Sequence, residues 1–369
     1  MATPVTATLA ALAAATAHPS GEALAPCPHA PETLRVLADR PDGSVVRHGP
    51  LVAKAHAPDT DPAALAVRTA VAAHPLLAGV LLPPLPTGTG TGTAQADGRP
   101  LTAWPYGAPV DPEDPDAAPW EETAALLARL HRTDTAALPA PLPPMRGPAK
   151  AARAVARMLA VPHPAPGTVT PHQAPGTTTP HQAPGTTTPC QASGAATPPE
   201  APGAITPCQT VLHAWHRLPA WARNEVPAPR GQMHAVLCHG DLHLGQLVRH
   251  PAPDGPWHLI DIDDLGLGDP TWDLARPAAW YAAGLLPPDV WQSFLAAYRE
   301  ADGPAVPPYG DPWPQLDVAA RALTVQTAAL ALAKSAAEQR PLDEVEQLML
   351  DSCARIAALP PEWDRHPPS

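Results

Sequence analysis

The chain has 369 residues, with 56 Pro, 24 Gly, one Phe and a formal net charge of −12. That length supports two domains with ordinary cores, and the Pro content puts much of the chain in loops and leaves core volume to Leu, Val, Ala and Trp. The acidic balance excludes a surface built to wrap a nucleic acid or an anionic membrane and favours cationic or neutral small partners.

Residues 5–17 are apolar like a signal h-region, but no Lys or Arg precedes Arg35, so the charged n-region is missing. No other apolar run approaches a bilayer span. Cys27, Cys190, Cys208, Cys238 and Cys353 are odd in number and far apart, which fits neither a disulfide framework nor a metal clip and suits a reducing cytoplasm. Three short strands are expected at 34–38, 45–47 and 51–56, separated by Pro41-Asp42-Gly43 and His48-Gly49-Pro50. Asp61 followed by Pro62 opens an Ala-rich helix to about His74. Residues 86–98 read as a Gly/Thr-rich loop, 101–106 as an edge strand, and the acidic, Pro-rich stretch 111–116 as a hinge.

Beyond it, Leu126, Leu127 and Leu130 predict a helix over 120–131, and a second follows at 148–159. Residues 162–208 hold a tandem repeat, TPHQAPGTT from Thr170 and again from Thr179, with too few aliphatics to offset the entropy of ordering. His163, His172 and His181 recur through duplication rather than as a metal tract. The remaining expectations are a helix at 211–221, strands at 234–238, 247–249 and 258–262, and helices at 272–283, 288–301, 316–338 and 343–359, the last capped by Asp343.

The densest chemistry lies in residues 236–250, VLCHGDLHLGQLVRH, and 258–275, HLIDIDDLGLGDPTWDLA. One strand delivers His239-Gly240-Asp241 and another delivers Asp261, so two acids at the ends of neighbouring strands can face one pocket. Phosphoryl transfer needs such a pair, because donor phosphates and their Mg²⁺ take oxygen ligands while the acceptor hydroxyl must be oriented and lose a proton. Asp241 suits the base, Asp261 a metal ligand, and Gln246 a neutral carbonyl ligand. Asp263, two residues on from Asp261, can point the same way.

This pair of loops resembles those of aminoglycoside phosphotransferases and related choline and sugar kinases, with Gln246 where most members carry Asn and a His-Leu-Gly-Gln stretch like that of maltokinase-like members. The resemblance implies an α+β, two-lobed, protein-kinase-like fold, with a small, mainly antiparallel β N-lobe (1–106) and a larger helical catalytic and substrate lobe (107–369) carrying the repeat insertion, expected to be disordered. It implies Asp241 as catalytic base, Asp261 with Gln246 on Mg²⁺, Asp273 bracing the catalytic loop, and His239 and Asp263 in support. It also implies Lys54, one of only three lysines, on the phosphates of ATP, with GTP as the alternative. The acceptor would be a small molecule such as an aminoglycoside, sugar or amino alcohol, with no nucleic-acid or membrane partner and a cytoplasmic location.

Two family features are missing. No acid lies between Asp61 and Asp97 to pair with Lys54, where the helix offers Arg68 instead, and no Gly-rich phosphate loop is evident. A binding protein of this fold without turnover is therefore an alternative, and a metal-dependent hydrolase built on His239, Asp241, His243, Asp261 and Asp263 is a more distant one. In ordinary structural terms, His243 is a loop residue bonding backbone, Asp263, Asp264 and Asp269 solvate a turn, and the acids between Asp111 and Glu122 form a solvated run.

Overall fold

The computed structural model describes Leu9 and residues 34–40, 43–86, 94–161, 205–228 and 235–360. The tandem repeats and most of the signal-like stretch lie outside the described residues.

Strands β1 (Leu34–Arg40), β2 (Gly43–His48), β3 (Leu51–Ala55), β4 (Ala94–Ala96) and β5 (Arg99–Pro105) form one antiparallel sheet in the order β1-β2-β3-β5-β4. In β2, Ser44, Val46 and His48 turn inward between half-buried neighbours, the period of two that a strand with one covered face requires. Val46, Ala53, Ala55 and Leu101 form the small core here. The strand expected at the edge, 101–106, is interior. β5 pairs with β3 on one side and β4 on the other, and Arg99 to Trp104 are all buried, because the stretch read as pure loop supplies the outer strand. Helix α1 (Pro62–Ala72) starts where Asp61 accepts the Ala63 N–H at 2.9 Å and Pro62 needs no donor partner.

Backbone bonds tie this part to the rest: Leu82 N–H reaches Leu259 O at 3.0 Å and Leu259 N–H reaches Val80 O at 2.9 Å. Two short sheets then carry the loops that matter. β6 (Ala108–Pro109), β8 (Leu247–Arg249) and β9 (Trp257–Leu259) form one, and β7 (Val236–Cys238) pairs with β10 (Gly266–Gly268) in the other.

The remainder is helical: α2 (Trp120–His131), α3 (Gly147–Ala160), α4 (Pro207–His216), α5 (Thr271–Ala283), α6 (Pro288–Glu300), α7 (Trp313–Glu338) and α8 (Glu344–Ala357). The helix expected from 211 starts inside the span assigned to the insertion. Thr206 and Gln209 form a reciprocal capping box there and Pro207 takes the first helical position, so the free N–H groups are met earlier than the apolar pattern suggests. Asp343 caps α8 as expected, in a capping box with Glu346. Helix α7 is long and apolar enough to cross a bilayer, contrary to the sequence expectation, but 72 % of its most apolar stretch is buried inside the protein. Its apolar surface serves as core, packed against α3, α5 and α8. The single phenylalanine, Phe294, is fully buried between Trp120 and Trp291.

Candidate active site

The loop after β7 is held from below by one buried carboxylate. Asp273, in the first turn of α5, accepts the His239 N–H at 2.6 Å and the His131 Nε2–H at 3.0 Å on Oδ2, and the Gly240 N–H at 2.7 Å on Oδ1. His131 Nδ1 in turn accepts the Tyr298 hydroxyl at 2.7 Å, whose oxygen accepts the Ala305 N–H at 3.0 Å. Burial alone would push the Asp273 pKa up, but His131 and these N–H donors outweigh it and hold the group ionised below its ordinary value. His131, Cys238 and Asp273 are a ligand-type cluster by composition and proximity, yet both His131 nitrogens and both Asp273 oxygens are already taken up by this network. Gly240 sits at φ +84°, and a Cβ there would lie 2.4 Å from Asp264 O, so the loop can approach the Asp261 segment only with glycine at this position. His239 is fully buried and donates Nε2–H to Ile260 O at 2.8 Å, linking the two segments.

Lys54, on β3, reaches across 207 residues of sequence to that second segment. Its Nζ lies 2.7 Å from Asp261 Oδ1 and 3.1 Å from Asp263 Oδ2. Burial opposes its charge, but the two carboxylates raise its pKa above the ordinary lysine value. Burial likewise opposes ionisation of Asp263, and Lys54 and His56 overcome it, lowering that pKa. His56 Nδ1 lies 2.7 Å from Asp263 Oδ1 and its Nε2 2.8 Å from Thr102 Oγ1, so a proton on Nδ1 lets it donate to Asp263 and accept from Thr102. Gln246 is buried, with its amide nitrogen 3.4 Å from Asp261 Oδ2. Arg68 does not face Lys54 but donates to Leu265 O at 2.7 Å. The missing glutamate thus leaves Lys54 with two counter-charges, both from the Asp261 segment.

Asp241 is clamped by cations that the motif does not contain. Lys150, on α3, lies 2.8 Å from its Oδ2, and Arg276, on α5, lies 3.1 Å from its Oδ1. Burial tends to raise the Asp241 pKa, but Lys150 and Arg276 prevail and bring it down to about 2. Lys150 also holds Asp264 Oδ2 at 2.7 Å, and Arg146 holds Asp264 Oδ1 at 2.5 Å, so α3 is pinned to both loops.

The turn-solvating role expected for Asp263, Asp264 and Asp269 is not found. Asp263 and Asp264 are ion-paired, and buried Asp269 accepts the Thr271 N–H at 3.0 Å at the start of α5. His243 does cap backbone, its Nδ1 accepting the Gly245 N–H at 3.1 Å, and burial and Arg276 lower its pKa to about 4. With His239 bonded to a carbonyl, His243 to an amide and Asp241 to two cations, the five-residue hydrolase constellation does not converge on one cation. The acids at 111–122 are exposed, as a solvated run should be.

Lys150, Arg276, Arg146, His56 and His131 were not singled out from the sequence. Two signals were present: Lys150 is one of three lysines, and His56 follows Lys54 by two residues in extended chain, which gives both the same face.

The phosphotransferase enzyme family model, APH, matches residues 32–317. Among solved structures, a choline/ethanolamine kinase family protein from Mesorhizobium loti is similar at TM-score 0.51 and 15 % identity over 98 % of this chain and 96 % of that one. Aminoglycoside phosphotransferase APH(4)-Ia is similar at TM-score 0.50 and 12 % identity over 88 % of this chain and 94 % of its own. A thermostable mutant of that enzyme, in a ternary complex with AMP-PNP and hygromycin B, is similar at TM-score 0.50 and 14 % identity over the same shares, 88 % and 94 %. No curated protein sequence matches the chain. These likenesses give the architecture its class, a two-lobed, kinase-like α+β fold.

Proposed function

The chain belongs to the phosphotransferase enzyme family, whose members transfer phosphoryl groups to hydroxyls, and from that premise we propose that it moves the γ-phosphoryl group of ATP, with GTP as the alternative donor, to a hydroxyl of a small molecule. Asp241 faces the acceptor, and Lys54, Asp261 and Gln246 face the nucleotide. The observation that carries this reading is the meeting of Lys54 with Asp261 and Asp263 at 2.7 and 3.1 Å, which joins the small sheet to the Asp261 segment at one point.

The donor set suits Mg²⁺. Asp261 offers carboxylate oxygen, Gln246 offers amide oxygen once its amide is turned, and the Lys54 ammonium already sets a positive charge against Asp261. Bound there, Mg²⁺ would neutralise charge on the donor phosphates. Lys54 then pairs with phosphate oxygens, as its strand position and its three N–H donors allow. Asp263 and His56 keep the ammonium in place, while Asp273 and His239 fix the backbone that presents Asp241.

With a pKa near 2, Asp241 is a weak base in this arrangement, so it acts first by orienting the acceptor hydroxyl and takes the proton late. A loose transition state demands no more than that. Gln246, one methylene longer than the Asn usual in the family, keeps an amide beside Asp261.

Calorimetry with ATP and with GTP in Mg²⁺, on the wild type and on Asp261→Ala, tests the reading. Binding that needs Mg²⁺ and is lost in the variant is the expected result. A folded protein that binds neither nucleotide would sink it.

A further inference from the structure

We propose that the acceptor is an uncharged, ring-bearing alcohol of the sugar class, seated against Trp120 and Trp280, and that cationic acceptors are rejected. This rests on the phosphotransfer reading and adds the chemistry of the second substrate.

The first ground is the charge around Asp241. A cavity of about 20 Å³ at its carboxylate is lined by Lys150, Arg276, Trp272, Leu323 and Gln326, and Asp241 is the only acid among its lining residues. Both Asp241 oxygens already face cations, and the next carboxylate, Asp264, is held by Lys150 and Arg146. An ammonium brought to this place would meet two like charges with no free carboxylate to receive it, which is a built-in penalty against cationic partners. The exposed acids at 111–122 do not change this, since Asp111 and Asp114 accept N–H groups of their own turns and none of the run lines either cavity.

The second ground is the neighbouring chamber. A cavity of about 160 Å³ is walled by Trp120, Trp280, Pro277, Leu244, Thr123 and His243, and contains no carboxylate. Its size is close to that of the engineered cavity of about 150 Å³ that takes up benzene, room for one six-membered ring. Leu242 and Arg276 line both cavities, so the chamber adjoins Asp241. His243, whose pKa is about 4, adds no charge near neutral pH.

Trp120 and Trp280 are the two indoles of the chamber wall. A sugar ring offers such a wall an aliphatic face to pack on indole, and its hydroxyls bring no charge to the Lys150 and Arg276 side.

The test is calorimetry on the full chain saturated with Mg²⁺ and a non-hydrolysable ATP analogue. Glucose and maltose serve as uncharged probes, choline and kanamycin as cationic ones, and glucose 6-phosphate as the anionic one. At least one uncharged sugar should bind about tenfold or more tighter than either cation, a gap of about 1.4 kcal/mol. Trp280→Ala, which removes one of the two indole walls, should weaken that binding about tenfold or more, with nucleotide affinity unchanged.

Tighter binding of a cationic or anionic probe, no binding of either sugar, or sugar binding indifferent to Trp280 would overturn the proposal. Failure of the phosphotransfer reading itself is seen separately, in the nucleotide titration that precedes the acceptor series. The series repeated without nucleotide then decides the acceptor class by itself.

Discussion

Lys54 and Lys150 each stand between two aspartates, Lys54 at 2.7 and 3.1 Å from Asp261 and Asp263, Lys150 at 2.8 and 2.7 Å from Asp241 and Asp264. The device is the same, but the surroundings differ. On the Lys54 side a strand residue meets acids from a turn in which Asp261 takes φ +65°, and His56 and Gln246 add hydrogen bonds. On the Lys150 side a helix residue meets the loop after β7, and Arg276 and Arg146 add further positive charge. All four carboxylates are ion-paired, but one side sets a single ammonium against its pair and the other sets three cations. The first arrangement fits a Mg-nucleotide and the second fits an acceptor that brings no positive charge.

The largest expected effect separates the two sides. Asp241→Asn should lower kcat by about 10²–10⁴-fold, the range for a lost acid–base group, with nucleotide affinity retained. Steady-state rates beside calorimetric nucleotide titration measure both. Lost nucleotide affinity with an intact rate would mean that the sides have been assigned the wrong way round.

Lys54→Met should act through stability as well as through the nucleotide. It leaves Asp261 and Asp263 without their shared cation, at a cost of roughly 1–3 kcal/mol once their partial exposure is discounted. Mg²⁺ should return much of that loss. Thermal unfolding with and without Mg²⁺ should therefore show a larger metal response in the variant than in the wild type, and an equal response would place the cation away from Asp261.

The two sides also differed in how far the sequence revealed them. Lys54 was readable from strand alternation, and Asp261 and Asp263 from the motif and their short spacing, although the strand expected over 258–262 ends at Leu259 and Asp261 leaves it at φ +65°. Even there the partner of Lys54 was missed, since a glutamate was sought on α1 while the nearer counter-charge, Asp261, came from 207 residues away. Lys150 and Arg276 sit on helices, and Arg146 just before one, whose register against the loop depends on tertiary packing, which spacing alone does not encode. Asp264 was read as a solvated turn residue because its partners lie 114 and 118 residues away in sequence. In the fold, α2 was legible to its bounds from its leucine pattern, whereas β5 was misjudged as an edge because β4 arises from a stretch with a loop's composition.

Lys150→Gln tests the acceptor side more gently. Asp241 then keeps only Arg276, and its pKa should rise from about 2 towards the ordinary aspartate value. The group must be ionised to orient a hydroxyl, so activity is present above its pKa and is lost as pH falls through it. The acid limb of kcat/KM should move upward by about one unit in the variant, given that a cation within contact distance is worth roughly one to three units. Lys150→Arg should restore the wild-type limb. A limb that stays put would mean that Lys150 positions α3 without setting the charge at Asp241.

The effect confined to mild acid concerns His243, which lies on the Asp241 side and is held neutral by burial. Its pKa is about 4 in the folded chain against an ordinary value of 6.5, with burial as the main cause and Arg276 as the next. The unfolded chain therefore binds the proton first as pH falls. This group's contribution to stability is constant above about pH 6.5, declines between 6.5 and 4 at up to about 1.4 kcal/mol per unit, and levels off below. His243→Asn should remove that slope while leaving a side-chain acceptor for the Gly245 N–H. Urea unfolding at intervals from pH 7 to 4 should give a flatter profile for the variant than for the wild type. Parallel profiles would show that the imidazole titrates as it does in water, and the chamber beside Asp241 would then gain a positive charge in mild acid, weakening the case that it is shaped for an uncharged ring.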